Sequence, residues 1–556
     1  MAYAMQLTRK TAEMKGKAPS FRYALASMLA LLCAACAGGG GRSPCPPGEK
    51  CIEVGNASEL FTLDPNKAQL VTESNVMYDM LVGLTTLNAK GETVPGMATS
   101  WSTSPDGLTW TFKLRKAQWS DGMPVTASDF VASFRRLEDP ATASPYANLL
   151  YPIAGAKAVN AGKAKPETIG AFASDPQTLV IKLTHPVPYL PLLMVHSTGF
   201  PIPAHAVAKW GDRWADPGHY VSNGAYTLAS WKLGDRLVLR RNPKFYEARS
   251  VCFDQVSYYP TSDPVSTERR VQSGELDMMD AFQSSRADYL RKKLPGYART
   301  IPILAIYYIP FNLQVPQLRD RRVRLAMAMT VDRDFLTKKI MRAGQAPLYG
   351  FTPPGLPGYH NIADPVWAAW PFERRVLAAR ELMRQAGYSA ERPLKLELKY
   401  NSGTDRALPA ALQADWRRIG VDASLAPGEG QIFVSELDAK AYQIAVDAWS
   451  ADYADPTTFL QLLATSGGPQ NHAGYSNPVY DDLMGRADQE RDAAKRLDIL
   501  RRAEAIARDD WPIIPLYSGS SRALSNPVNS GFFENPMNWH LKRFMCRTGP
   551  PPGANR

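Results

Sequence analysis

The chain has 556 residues, of which 45% are hydrophobic, 21% charged and 10% aromatic, so it has enough apolar material for two or three ordinary cores. Its net charge is +11, but residues 1–36 hold five basic residues and one acidic residue, and the other 520 carry only +7. That charge is spread without a long basic run, which argues against a nucleic-acid-binding protein. No later apolar run reaches the roughly 18 residues of a membrane-spanning helix, which excludes a polytopic transporter.

Residues 1–36 predict an export signal, because a basic region ends at Arg22 and is followed by a short apolar stretch and by small residues. The tripeptide Ala34-Ala-Cys36, followed by four glycines, resembles a bacterial lipobox, whose cysteine is lipidated and becomes the mature N-terminus. Cys33 departs from this pattern, since leucine is usual there. We therefore predict lipidation at Cys36 and a flexible tether over 37–51, with cleavage without a lipid as the alternative.

Four further cysteines remain: Cys45, Cys51, Cys252 and Cys546. An even number in an exported chain favours disulfides over metal or redox chemistry. Cys45 and Cys51 bracket a turn-rich segment and predict a small ring. Cys252 and Cys546 can pair only if the fold returns the end of the chain to its middle, and we predict this pairing as well.

Apolar and polar residues alternate, as in strands, in three segments: 108–114, 179–183 and 394–398. Helices are predicted in three others, the first opened by a capping-box-like Thr126 to Asp129: 126–137, 372–386 and 492–508. Many tight turns are expected from the 45 prolines and 39 glycines. This mixture indicates α/β lobes with long loops.

The sequence contains no recognisable catalytic or metal-binding motif. Its seven histidines are scattered, without the i, i+4 pair of a zinc-binding helix. It also lacks a Gly-x-Ser-x-Gly elbow, a Walker loop and a dinucleotide fingerprint. A Ser-His-Asp set could still assemble from distant positions, but the pattern favours a binding protein, without a metal or cofactor, over an enzyme.

The most informative segment is predicted to run from a strand over 442–450, through Asp455-Pro456, into a helix. Asp455 fits an N-cap whose carboxylate accepts backbone amides, since proline follows it. Asp452 has no such role and lies among aromatic residues such as Trp449. A carboxylate beside aromatic rings suits a ligand ammonium, because the partly desolvated ion pair is strong. A solvated turn residue is the alternative.

This segment resembles the oligopeptide-binding proteins of bacterial ABC importers, a solute-binding family that also includes dipeptide, nickel and murein-peptide receptors. The resemblance extends from about residue 52 to 546, nearly the whole predicted mature chain. The matching stretches occur in the family's order and include Thr62-Leu-Asp-Pro65, Gln118-Trp-Ser-Asp-Gly122, Asp139-Pro-Ala-Thr-Ala-Ser-Pro-Tyr146, Ser222-Asn-Gly-Ala-Tyr-Thr227, Asp320-Arg-Arg-Val-Arg324 and Tyr349-Gly-Phe-Thr-Pro-Pro354.

The resemblance implies an α/β fold of the class II periplasmic-binding-protein type, in which two lobes built from three domains close on a ligand. Carried over, domain I comprises 52–81, 204–304 and 520–546, domain II comprises 82–203, and domain III comprises 305–519. This assignment places Cys252 and Cys546 in one domain, which supports their pairing.

The resemblance also implies an extended peptide held through its backbone by strand-like hydrogen bonds, which any side-chain sequence can satisfy. The residues that match the backbone partners of the peptide are Val71, Ala448 and Ser450. Asp452 matches the carboxylate that pairs with the peptide α-ammonium. Trp449 and Tyr146 match residues that line water-filled pockets for peptide side chains.

The chain departs from the family at positions that affect the other end of a peptide. Ala305 and Ser450 stand where family members often have two joined cysteines. Val315 and Val446 match basic residues that receive the peptide carboxylate, and Arg406 lies near a third such position. A solvated arginine at a helix start is the alternative for Arg406. We therefore expect changed recognition of the peptide carboxyl end.

Together these features predict a monomeric peptide-binding lipoprotein of the periplasm or cell envelope that delivers its ligand to the permease subunits of an ABC transporter. It is expected to contact the membrane only through its lipid anchor, to bind no nucleic acid and to catalyse no reaction. Two alternatives stay open: a murein-peptide receptor of the same fold, and a peptide sensor or chaperone without transport.

Overall fold

The computed structural model describes residues 45–549, apart from the side chain of Gln431, so that the predicted export signal, Cys36 and the tether up to residue 44 lie outside the described residues. The strands of this part are β1 Cys51–Gly55, β2 Thr85–Leu87, β3 Thr93–Pro95, β4 Ala98–Thr103, β5 Thr109–Leu114, β6 Ala171–Asp175, β7 Thr178–Lys182, β8 Tyr226–Lys232, β9 Arg236–Arg241, β10 Gln255–Tyr259, β11 Met278–Met279, β12 Ala298–Pro310, β13 Leu394–Asn401, β14 Val421–Gly428, β15 Ile444–Ser450, β16 Ile513–Ser525, β17 Asn529–Ser530 and β18 Cys546–Arg547.

The α-helices of the same part are α1 Val71–Met80, α2 Ala127–Glu138, α3 Ala156–Asn160, α4 Leu190–Leu193, α5 Ala204–Trp210, α6 Pro264–Gln272, α7 Ala287–Lys293, α8 Arg321–Met329, α9 Arg333–Phe335, α10 Phe372–Gln385, α11 Ala407–Arg417, α12 Gly430–Asp438, α13 Thr457–Leu460, α14 Pro478–Gln489 and α15 Ala493–Asp510. A π-helical segment, Leu336–Met341, follows α9. None of the helices in residues 45–549 has both the length and the apolar character needed to cross a bilayer.

Ten strands form one mixed sheet in the order β14-β13-β15-β12-β16-β11-β1-β10-β9-β8. Its longest strands, β12 and β16, have 13 residues each and pair antiparallel, with an irregularity between Pro302 and Ile306. The domain boundaries predicted at 304/305 and 519/520 fall inside these two strands. Predicted domains I and III therefore share one sheet, while the extent of each domain stays a prediction.

A second sheet, in the order β4-β5-β7-β6, lies within predicted domain II, and helix α2 packs on it. The helix begins where the capping box predicts, because the Thr126 N–H donates to the carboxylate of Asp129 at 2.8 Å. Its buried face carries Phe130, Phe134 and Leu137, all fully buried. Burying each such side chain contributes roughly 1.5–3 kcal/mol, which holds the helix on the sheet.

Predicted domain III has its own apolar cluster beneath β13, β14 and β15. The helix predicted over 372–386 is observed as α10 and buries Val376, Ala379 and Met383 in this cluster. The strand predicted over 394–398 is observed as β13 and contributes Leu396 and Leu398. Both elements follow the apolar periodicity of the sequence.

Strand β15 has an edge that is only partly covered. It pairs antiparallel with β12 along its C-terminal half, whereas its pairing with β13 ends at Val446 within the described chain. The Ala451 N–H donates to the Leu304 carbonyl of β12 at 2.8 Å. Since the hydrogen-bonding direction alternates along a strand, the main-chain groups of Ala448 and Ser450 point away from β12 to the open edge.

Both predicted disulfides are present in the structure. Cys45 is bonded to Cys51 and Cys252 to Cys546, with Cα separations of 5.8 and 5.2 Å. The second bond joins residues 294 positions apart and so ties the end of the chain to its middle. Because β1 begins at Cys51, residues 45–51 of the predicted tether belong to the folded body.

Candidate functional site

Six of the seven residues that the sequence singled out for ligand binding line one cavity of about 290 Å³. They are Val71, Tyr146, Ala448, Trp449, Ser450 and Asp452. The other walls come from residues 68–74, 196–197, 303–304 and 536–539, so all three predicted domains contribute. A larger, shallow depression of about 640 Å³ at Lys395 and Asp422 gathers none of the predicted residues.

The open edge of β15 forms one wall of this cavity. Ala448 and Ser450 present their main-chain groups there, two residues apart, which is the spacing at which an extended chain adds to a sheet edge. The Ala448 N–H donates to the carboxylate of Asp447 at 2.8 Å. A ligand carbonyl that accepts from this N–H must therefore share the N–H with the Asp447 carboxylate or displace that carboxylate.

Val71 begins α1, whose start is organised by a buried carboxylate. The side chain of Glu73 is almost fully buried and accepts four backbone N–H groups at 2.8–3.2 Å, those of Phe61, Thr62, Gln69 and Leu70. These bonds fold the loop before α1 and fix the part of the cavity wall at Gln69 and Val71. An acidic residue at the third helical position was the available sequence signal for this role.

Asp452 lies two residues after the end of β15 and reaches the cavity with a buried carboxyl group. Its backbone N–H donates to the Thr458 hydroxyl at 3.1 Å, which sets the turn. Its side chain is only 10% exposed, and its Oδ2 has no hydrogen-bond partner among the described residues. Burial raises the pKa of Asp452 to about 7. A buried, unpartnered carboxyl is costly unless a cation or donor reaches it.

His196 lies close to Asp452, and the sequence did not single it out. Its Nε2 lies 4.0 Å from Oδ1 of Asp452. The Thr198 N–H donates to Nδ1 at 3.3 Å, so the neutral ring carries its proton on Nε2, the nitrogen closer to Asp452. Burial lowers the pKa of His196 to about 4. Its ring also packs against Tyr146, with centroids 4.9 Å apart.

The carboxylate of Asp455 accepts a backbone amide beside a helix start, as the sequence indicated, although Pro456 and not Asp455 is the N-cap residue. It accepts the Thr457 N–H at 3.0 Å at the start of α13. It also binds Arg496 of α15 through two bonds of 2.7 and 2.8 Å, and both side chains are buried. This pair fixes the turn between β15 and α13 that carries Asp452.

Aromatic side chains form much of the remaining wall. Trp449 lines the cavity and packs against the apolar core. Trp539 packs against Tyr78 with ring centroids 4.5 Å apart and ring planes tilted by 37°. The turn that carries Trp539 is held by Asn535, whose side chain bonds both the N–H and the carbonyl of Trp539. These contacts keep the ring wall in place beside the carboxyl group.

The structure does not bring Arg406 to this cavity. Arg406 is exposed and directly precedes α11, and it is not among the described residues that line the cavity. A carboxylate-binding role for Arg406 stays a prediction that this geometry does not support. Val446 is buried in the core of predicted domain III, and Ser450 lies directly opposite Ala305 in the pairing of β15 with β12.

Residues 45–549 bring together no group of three or more His, Cys, Asp or Glu side chains that could hold a metal ion. The features of the cavity are instead a strand edge, one buried carboxyl group and aromatic walls. This arrangement can bind an extended, positively charged chain end.

Comparison with known proteins agrees with this geometry. The family model described as bacterial extracellular solute-binding proteins, family 5 Middle, matches residues 92–471. The chain belongs to family 5 of the bacterial extracellular solute-binding proteins. It is 38% identical to the periplasmic oligopeptide-binding protein OppA of Escherichia coli K12 over 488 residues, which cover 86% of this chain and 88% of OppA.

Solved structures of family 5 proteins have the same fold. The Haemophilus influenzae OppA complex with the peptide RPPGFSPFR matches with a TM-score of 0.82 and 33% identity, covering 90% of this chain and 99% of that one. The murein tripeptide-binding protein MppA of Escherichia coli matches with a TM-score of 0.83, also at 33% identity, covering 90% of this chain and 99% of MppA. These matches confirm the predicted class II fold with two lobes.

The family 5 comparison also describes the state of the lobes. The unliganded open form of MppA gives a TM-score of only 0.73, at the same 33% identity and with 90% of this chain and 98% of that one covered. Since the other MppA structure scores 0.83, the lobes of this chain are arranged less like the open form. The contacts between predicted domains II and III described above therefore belong to a more closed arrangement.

Proposed function

We propose that this family 5 protein is a receptor that binds peptides and delivers them to the permease subunits of an ABC transporter. The observation that carries the proposal is the buried carboxyl group of Asp452, which lies unpartnered at the end of an open strand edge. An α-ammonium group supplies the missing cation, and a peptide backbone supplies the missing strand. The similarity to oligopeptide-binding proteins supports the same ligand class.

In this proposal each residue of the site has a distinct part. Asp452 pairs with the α-ammonium, while the main-chain groups of Ala448, Ser450 and Val71 bind the peptide backbone. Trp449 and Tyr146 line space for side chains. Because the main contacts are to groups that every peptide has, binding depends weakly on peptide sequence.

The ligand free energy would favour the closed arrangement, which the permease then recognises. The protein would work as a monomer in the periplasm or cell envelope, anchored through a lipid on Cys36, and it would act as a receptor rather than an enzyme. Mass spectrometry of the membrane fraction tests the anchor, because a mature protein with an unmodified Cys36 would contradict it.

The replacement Asp452→Asn tests the peptide-binding proposal, since it keeps the shape of the side chain and removes the charge. We expect affinity for peptides with a free amine to fall by about 2 to 5 kcal/mol in calorimetry, as when one partner of a buried charge pair is removed. The control is Asp498→Asn in α15, which removes an exposed carboxylate and should leave affinity unchanged. Equal affinities of wild type and Asp452→Asn would contradict the proposal.

A receptor for murein-derived peptides is the second candidate, because the fold matches MppA with a TM-score of 0.83. Murein peptides differ from ordinary peptides in the chemistry of their ends. Calorimetry distinguishes the two candidate functions by comparing three ligands: murein tripeptide, trialanine and N-acetyltrialanine. Binding of the murein tripeptide alone would favour the second candidate.

A further inference from the structure

The charges that line the cavity are unbalanced. Among the described lining residues, Asp452 is the one acidic side chain, and neither lysine nor arginine contributes to the wall. His196 is the one other titratable base there, and its burial lowers its pKa to about 4, so it is neutral at physiological pH. The cavity can therefore neutralise one cationic group, but it offers no cation for an anionic group.

The charged groups next to the strand edge do not supply a cation for an anionic ligand group. Asp447 precedes Ala448 and accepts a hydrogen bond from Nδ1 of His472 at 2.8 Å, while Nε2 of the same ring bonds Asp438 at 3.1 Å. Their carboxylates raise the pKa of His472 to about 9, so the ring is an imidazolium at neutral pH. Both of its nitrogens are already bound to carboxylates, and the network of one cation and two anions carries a net charge of −1.

Arg406 does not supply the missing cation either. It is exposed at the start of α11 and does not line the cavity. A ligand carboxylate enclosed here would thus lose its hydration without meeting a positive partner. Taking an unpaired carboxylate out of water is unfavourable, which weakens the binding of a ligand that must bury one.

We propose that the cavity selects ligands that carry an ammonium group at one end and no enclosed negative charge at the other. A peptide amide fits this description, as does a peptide whose carboxylate extends out of the cavity into water. The inference rests on the proposed function, since it defines the ligand class of the same site. It makes this protein a receptor for cationic or carboxyl-blocked peptides in preference to short zwitterions.

The test compares three ligands by calorimetry on the whole protein, freed of bound material: trialanine, trialanine amide, and N-acetyltrialanine amide. We expect the amide to bind more tightly than the free acid, by up to about tenfold, because the amide has no carboxylate to desolvate. The acetylated amide should bind at least about thirtyfold more weakly, because it lacks the ammonium.

The outcomes separate this inference from the proposed function. If trialanine binds as tightly as its amide or more tightly, the inference alone is overturned, since the site then accepts the carboxylate of a short zwitterion without a penalty. Failure of all three ligands to bind would contradict the proposed function.

The variant Arg406→Ala adds a second readout. We expect it to leave the affinity ratio of acid to amide unchanged. A selective loss of affinity for the free acid would assign the carboxylate to Arg406 and overturn the inference.

Discussion

His196 and Asp452 face each other at the cavity, with Nε2 of the histidine 4.0 Å from Oδ1 of the aspartate. They come from predicted domains II and III, so this contact depends on the relative position of the two domains. Burial lowers the pKa of His196 to about 4 and raises that of Asp452 to about 7. At neutral pH the two residues therefore do not form an ion pair, and the carboxyl is available to a ligand cation.

Peptide affinity should depend on pH through Asp452. The free protein holds the carboxyl proton up to a pKa of about 7, whereas a bound ammonium favours the ionised form and lowers that pKa. Affinity should therefore fall by up to about tenfold for each pH unit below 7. Above about pH 8 it should fall again, because the peptide amine loses its proton with a pKa near 8.

Calorimetry of trialanine at about pH 5, 6, 7 and 8 measures this profile. The matched control is Asp452→Asn, whose weaker binding should show no change between about pH 5 and 7, because asparagine does not titrate. Equal wild-type affinity at pH 5 and 7 would mean that Asp452 is not the group that meets the ammonium.

Ala305 and Ser450 lie directly opposite each other in the pairing of β12 with β15, as a non-hydrogen-bonded pair. Such pairs have Cα atoms about 4.5 Å apart, within the range of disulfides. The double variant Ala305→Cys with Ser450→Cys should therefore form a disulfide and raise the free energy of unfolding by about 2 to 4 kcal/mol.

Peptide affinity of the oxidised double variant should stay within about threefold of wild type, because the main-chain groups of residue 450 point to the other edge of β15. Peptide mapping without reduction detects the bond, and the reduced double variant is the control for stability. Free thiols at both positions would contradict the observed pairing register.

Local sequence patterns predicted several of the strands and helices, because these patterns depend on neighbouring residues. The strand around Trp110 and Phe112 follows two-residue alternation, and α2 is capped at Thr126 through its bond to Asp129, three positions later. Different roles for Asp452 and Asp455 are also predicted from neighbouring residues, because the proline after Asp455 indicates a helix start and no such signal follows Asp452.

Other features could not be read locally. His196 reaches Asp452 only because predicted domains II and III meet, and no pattern within either segment reports that contact. The predicted domain boundary at 304/305 lies inside β12, where the strand continues and no linker-like composition marks a division. The exposure of Arg406 depends on how the loop before α11 folds, which a single aligned position does not determine.

The buried pair of Arg496 and Asp455 should contribute strongly to stability. Replacing Arg496 with alanine leaves the Asp455 carboxylate buried without its two guanidinium bonds, which should cost about 3 to 5 kcal/mol of unfolding free energy. Arg496→Lys should recover only part of this, since an ammonium cannot make the paired bonds. Denaturant unfolding of the three proteins measures both differences.

The matched control for Arg496 is Arg501→Ala on the same helix. Arg501 pairs with Asp498 at 2.6 Å, but both side chains are about half exposed, so its loss should change stability by less than about 1 kcal/mol. Equal effects of the two alanine variants would show that the Asp455 pair does not stabilise the turn that carries Asp452.

Tyr189 connects predicted domains II and III beside the ligand site. Its ring stacks on that of Tyr453, with the two centroids 5.5 Å apart. The guanidinium of Arg496 lies over the Tyr189 ring, 4.6 Å from the centroid of that ring. An aromatic pair contributes about 0.5–1.5 kcal/mol and a cation–π contact about 0.5–2 kcal/mol. These contacts exist only while the two domains meet, so they favour the closed arrangement.

Tyr189→Ala should therefore weaken peptide binding by about 1 to 3 kcal/mol, because a smaller fraction of molecules is closed. Tyr189→Phe should lose less affinity than Tyr189→Ala, since it keeps the ring but lacks the hydroxyl that bonds to Thr457 and Asp488. Tyr289→Ala removes a tyrosine that is 45% exposed in α7 and should leave affinity unchanged. Small-angle scattering with trialanine should show a larger radius of gyration for Tyr189→Ala alone. Unchanged affinity and radius would mean that closure does not depend on this aromatic contact.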